Sequence, residues 1–125
     1  MPTIELTEKN FDTVTKESSI VFVDFWASWC APCRSFAPVF EKASNKHADV
    51  VFGKVDTEAE PALAGSFQIR AIPTLMVIKD GVVVFAQAGM LPPAALEDLI
   101  EQAKKLDMEE VRKKIAKADK ERAAE

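Results

Sequence analysis

The chain has 125 residues, 48% hydrophobic and 29% charged, which suits one soluble globular domain and leaves no room for two. Its net charge of −4 is unevenly spread: residues 1–103 carry 8 basic and 14 acidic side chains, residues 104–125 carry 8 and 6. An acidic body excludes nonspecific nucleic-acid binding, which needs a basic footprint, and the tail is too mixed in sign to be a polybasic membrane anchor.

The opening segment, MPTIELTEKN, lacks the basic start and apolar run of a secretory leader. No apolar stretch approaches the roughly 20 residues of a membrane span. The expectation is a cytoplasmic protein whose thiols are kept reduced. Residues 3–6 suggest a short strand, and Thr7 an N-cap for a helix over 8–17. Residues 20–25 (IVFVDF) form a short β-branched run broken only by Asp24, the pattern of a central strand buried on both faces. Phe36, Val39, Phe40 and Ala43 then recur at helical spacing, with Pro38 expected to kink that helix.

Residues 50–55 read as the next strand, parallel to the first through a right-handed crossover. Residues 60–66 read as a short helix. Residues 74–79 and 82–88 flank Asp80-Gly81, a tight-hairpin signal because both turn residues need positive φ. A helix starts near Pro92-Pro93 and continues through Leu96, Leu99, Ile100 and Ala103 to Leu106. The order β-α-β-α-β-α-β-β-α predicts an α/β fold, one mixed sheet covered by helices on both faces.

The chain's two cysteines, Cys30 and Cys33, stand at a predicted strand-to-helix junction. The free N–H groups and positive end of a helix stabilise an anion, so a thiolate on Cys30 is favoured and its sulfur is expected to be open to substrate. Cys33, one turn on, can attack a sulfur bonded to Cys30. The chemistry that follows is attack of Cys30 on a disulfide and resolution of the mixed disulfide by Cys33. Ala31 and Pro32 make the turn between them compact and stiff, and Trp26, Trp29 and Pro32 offer apolar surface around it. A tetrahedral zinc site needs four ligands, and the chain offers the two cysteines and one histidine, His47. Two inert buried cysteines are the remaining alternative.

Asp24 lies six residues before Cys30 on a strand running toward it. A buried carboxylate tends to hold its proton, which suits an acceptor for the Cys33 proton; the alternative is a side chain in a polar pocket at the sheet edge. Lys54 reads either as an ion-pair partner of Asp24 or as a lysine snorkelling at a strand end. Pro73 precedes a strand and follows apolar Ile72, which fits a cis bond, a bulge or an edge position.

Asp24-Phe25-Trp26-Ala27, Trp29-Cys30-Ala31-Pro32-Cys33, Pro38, Lys54, Ile72-Pro73-Thr74, Asp80-Gly81 and Gly89 together resemble the thioredoxin family over residues 3–104. The resemblance implies a thioredoxin fold with a mixed five-stranded sheet. It makes Cys30 the nucleophile, Cys33 the resolving thiol, Asp24 with Lys54 the buried proton acceptor, and Pro73 cis. It also implies a substrate chain lying extended against Ile72, with Pro73, Gly89, Pro32 and Trp29 around the groove. The activity implied is protein-disulfide reduction, with no cofactor beyond a redox-active Cys30–Cys33 disulfide and no metal. The implied partners are disulfide-bearing proteins and a flavoprotein of the thioredoxin-reductase type, without nucleic acid or membrane, and the chain is expected to be a monomer. Ala31 departs from the usual glycine, and Arg34 stands where lysine is common.

The larger departure is the tail, which divides the chain into a domain over 1–105 and an extension over 106–125. Asp107 and Glu110 have capping-box spacing, and Met108, Val111, Ile115 and Ala118 make a narrow stripe, predicting an extra helix over 108–122 that docks, dimerises, recruits a partner or frays. The competing functions are an oxidant or isomerase, and a non-catalytic holdase or adaptor that uses this helix.

Overall fold

The computed structural model describes residues 3–124. Met1, Pro2 and Glu125, the outer residues of the segments expected at 1–105 and 106–125 and part of the stretch read for a leader, lie outside them. Strands β1 (Thr3–Glu5), β2 (Ile20–Trp26), β3 (Val51–Asp56), β4 (Thr74–Lys79) and β5 (Val82–Ala88) form one sheet in the order β1-β3-β2-β4-β5. β3 pairs in parallel with both β1 and β2, whereas β4 runs antiparallel to β2 and to β5. The helices are α1 (Phe11–Glu17), α2 (Ala31–Lys46), α3 (Pro61–Ser66), α4 (Pro93–Lys105) and α5 (Met108–Ala123).

The two-residue period of the strands sorts the apolar side chains into two layers. Phe22, Phe52, Leu75 and Val77 meet Phe36 and Phe40 of α2 and Leu96 and Ile100 of α4. Val21, Val23, Phe25 and Val55 meet Phe11 of α1 and Leu63 of α3 on the opposite face. Each of these side chains that is fully buried contributes about 1.5–3 kcal/mol. By the same alternation Asp24 belongs to the α2 face, and it is fully buried.

The hairpin between β4 and β5 turns through Asp80 (φ 51°) and Gly81 (φ 76°), as the Asp-Gly pair requires. α2 runs on through Pro38 as one helix. The first helix starts later than its sequence suggests, at Phe11 rather than 8. Thr7 Oγ1 instead accepts from the Lys9 amide, and Asn10 Oδ1 accepts from the Thr7 amide at 2.7 Å, so these side chains stabilise a turn that competes with helix. Leu106 lies just past the end of α4. Asp107 does cap α5, accepting from the amides of Glu109 and Glu110.

His47 closes α2 against α4. Its Nδ1 lies 2.9 Å from Lys104 Nζ and its Nε2 2.5 Å from a Glu97 carboxylate oxygen. The sixteen-residue helix between Cys30 and His47 spans roughly 24 Å, so the three ligand candidates weighed for zinc stand at opposite ends of it.

Candidate active site

β2 ends at Trp26, and the chain crosses the carboxyl end of the parallel strands before entering α2, so whatever lies on this connection faces the crevice where α/β sheets bind ligands. Cys30 is the N-cap of α2 in extended conformation (φ −86°, ψ 110°), and its sulfur accepts from the Cys33 amide at 3.2 Å. No acidic residue occupies the helix's first turn to compete for its positive end. Pro32 sits in that turn, where a missing N–H costs no helix bond. Arg34 reaches back to the Ser28 carbonyl at 2.8 Å and holds the connection onto the helix.

Cys30 and Cys33 are joined as a disulfide, with Cα atoms 5.2 Å apart. Cys30 is less open than the sequence suggests, keeping 4% of its surface; Cys33 keeps 3%. The physical reason is packing in a small cluster with Ala27, Trp26 and Ile72. Cys30 Sγ lies 3.7 Å from the Ile72 carbonyl oxygen, which has no proton to accept from a disulfide but is within reach of a thiol.

Ile72 lies 42 residues after Cys30, and with Pro73 it immediately precedes β4, whose start pairs with the end of β2. The bond between Ile72 and Pro73 is cis. Thr74 Oγ1 donates to the Ala71 carbonyl, and the amide of Gly89 (φ 97°) donates to the Pro73 carbonyl at 2.8 Å, pinning this turn to the end of β5. The N–H and C=O of Ile72 take no backbone hydrogen bond among the described residues. Trp29, Pro32 and Gly89 are exposed around it, Trp29 to 66%.

Asp24 lies beneath this surface, on the α2 side of β2. Neither carboxylate oxygen has a hydrogen-bond partner among the described residues. Burial pushes its carboxyl up to about 7, with the charge of Lys54 pulling the other way. Lys54 is the register partner of Asp24 on β3, yet it makes no ion pair among the described residues. Its Nζ rests 5.0 Å from the centre of the Trp26 ring.

One contact at the rim escaped the sequence reading. Glu58 Oε1 accepts from Trp29 Nε1 at 2.6 Å and ties the indole to the segment that follows β3. No local pattern links residues 29 apart; only the placement of both at the carboxyl ends of β2 and β3 brings them together.

The family model for thioredoxin matches residues 2–102. The chain belongs to the thioredoxin family. It is 58% identical over 114 residues to a Streptomyces coelicolor protein named "Putative thioredoxin 2", covering 91% of this chain and 85% of that one. An alignment of that length runs past residue 102 and into α5. A Bacillus subtilis thioredoxin is 38% identical over 101 residues, 80% of this chain and 96% of the other. Among solved structures, a mutant thioredoxin from Halobacterium salinarum superposes with a TM-score of 0.78 at 33% identity, covering 84% of this chain and 93% of that one.

With its Cys30–Cys33 disulfide, this thioredoxin is a thiol–disulfide oxidoreductase with protein-disulfide reductase activity. Thioredoxins hold their electrons in the dithiol and carry no separate cofactor. Family membership implies a thioredoxin reductase and disulfide-bearing substrates as partners. No helix among the described residues is long and apolar enough to cross a membrane.

Proposed function

We propose that this thioredoxin is a cytoplasmic, monomeric dithiol reductase of broad protein-substrate range, re-reduced by a flavoprotein reductase. In this reading a substrate segment pairs with the N–H and C=O of Ile72, which take no backbone hydrogen bond among the described residues, between Pro73, Gly89, Pro32 and Trp29. Main-chain pairing of that kind tolerates many side chains. The Cys30 thiolate, stabilised by the α2 N-terminus and the Cys33 amide, attacks the near sulfur of the substrate disulfide and releases the first substrate thiolate. Cys33 then gives its proton to Asp24, and its sulfur attacks Cys30. The Cys30–Cys33 disulfide forms, the second substrate thiolate leaves, and two electrons have passed to the substrate. Lys54 acts on Asp24 through its charge.

The observation that carries the reading is the Cys30 sulfur held between the Cys33 amide and the Ile72 carbonyl, under an exposed apolar rim. The test is a trap: Cys33→Ser should accumulate proteins disulfide-bonded to Cys30, and Cys30→Ser should accumulate none and lose insulin reduction. Equal capture by both variants overturns the reading. A reduction potential well above that of the glutathione pool would make the protein an oxidant instead. Residues 1–105 form the catalytic domain, and 106–125 an appendage outside the chemistry.

A further inference from the structure

Parallel pairing puts Glu5, Lys54 and Asp24 in one cross-strand row, and Trp26 with its partner Asp56 two residues along. Side chains two residues apart share a sheet face, so Trp26, Asp24, Lys54, Asp56 and Glu5 all address the same side. An ammonium beside a buried carboxylate that lacks hydrogen bonds should be drawn to it. In the disulfide form Lys54 is instead over the Trp26 ring, 5.0 Å from its centre. A ring face attracts a cation at such a distance, most strongly when the ring is an indole.

The competing carboxylates are accounted for. Asp56 Oδ1 already accepts from the amides of Glu58 and Ala59, and Glu5 makes no ion pair among the described residues. β4 offers apolar Leu75 in this row, and α2 presents Cys30 and Cys33, which carry no proton as a disulfide.

We propose that Trp26 is a positioning residue, a resting place that holds Lys54 off Asp24, so that the lysine is a two-position counter-ion. While Asp24 is neutral the ammonium stays on the indole. When Asp24 ionises, the ammonium moves toward it, and when Asp24 takes the Cys33 proton it returns. The ring therefore competes with the Asp24 anion for the same cation and keeps Asp24 a better proton acceptor than a permanent ion pair would. This rests on the reading of Asp24 as that acceptor.

The experiment is the pH profile of mixed-disulfide resolution in Trp26→Leu, with and without Lys54→Met. Losing the ring frees Lys54 for Asp24, favours the anion and lowers the midpoint by about half a pH unit, the effect of a roughly threefold bias. In the Lys54→Met background the same substitution should produce no downward shift. An equal shift in both backgrounds, or none in either, overturns the proposal.

A second measurement holds if Trp26→Leu does not fold. In Trp29→Phe, Trp26 is the remaining tryptophan. Its emission in the oxidised protein, where the cysteines do not titrate, should follow Asp24 ionisation, and Lys54→Met should abolish that change. A flat titration, or one indifferent to Lys54→Met, overturns the proposal. If Asp24→Asn leaves resolution unchanged, the acceptor reading fails, and the fluorescence result still decides whether the lysine moves.

Discussion

Lys79, on the last residue of β4, donates from Nζ to the carbonyl oxygen of Ala103 at 2.8 Å. The same amine reaches the carbonyls of Lys104 at 3.2 Å and Leu106 at 2.9 Å. A helix leaves its last carbonyls without partners, and a cation there also meets the negative end of the helix. Lys79, largely buried on the α4 face of the sheet, thus closes α4 from inside the core.

Lys79→Met keeps the length and apolar stem and removes the donor. Loss of these charge-assisted bonds at a partly buried helix end should cost about 2 kcal/mol. Urea denaturation reads this as a lower midpoint at unchanged slope. Insulin reduction per folded molecule should stay the same, since Lys79 sits at the end of β4 away from Pro73. An unchanged midpoint would mean that solvent serves these carbonyls equally well.

Removal of residues 107–125 tests the proposed division of the chain. Met108 is the buried residue of α5, and the helix's link back to the β4–β5 turn, Arg112 to Asp80 at 3.9 Å, is exposed and worth little. The shortened protein should keep insulin reduction within about twofold, because little backbone or apolar surface of the domain depends on the tail. Loss of activity in a folded, shortened protein would place the tail in the chemistry.

Much of this was legible in the sequence because its signals are local. Asp80-Gly81 dictates the hairpin through its own φ angles, the apolar run around Asp24 marks a buried strand, and Asp107 announces a helix start. Thr7 misled because a hydroxyl that caps a helix serves a turn equally well, and Asn10 three residues on supplied the competing acceptor. The contacts of Glu58 with Trp29 and of Lys79 with Ala103 join residues far apart in the chain, and exist only once the strand order is known. Lys54 fell between the two: its strand and its partner could be read, but whether the ammonium rests on Asp24 or on Trp26 depends on ring geometry that no spacing encodes.

Gly53, on β3 beside Lys54, has its missing side chain replaced by a neighbour. A Cβ added there would stand 2.6 Å from Leu6 Cγ, and Leu6 is fully buried. Gly53→Ala should therefore cost about 1–3 kcal/mol by overpacking. Leu6→Val in the same molecule should recover part of it by making room, an interaction that a double-mutant cycle in urea detects. Additive losses would show that the two do not share the space.

The clearest pH dependence belongs to Asp24. Its folded carboxyl is raised from 3.8 to about 7, mainly by burial. An acid whose folded pKa lies above its unfolded value binds more protons folded than unfolded between the two, so stability falls as pH rises from about 4 to about 7, and the full cost is present above that. The shift corresponds to a penalty on the order of 4 kcal/mol. Asp24→Asn removes the charge, so the oxidised variant should be more stable than wild type at pH 8, with the advantage shrinking steadily toward pH 4. In the reduced protein the same change should slow resolution of the mixed disulfide near neutral pH, since the Cys33 proton loses its acceptor. A gain in stability with an unchanged resolving rate would leave Asp24 a costly buried charge with no part in proton transfer. A loss of stability at pH 8 would mean that Lys54, once Asp24 ionises, compensates the buried anion in full.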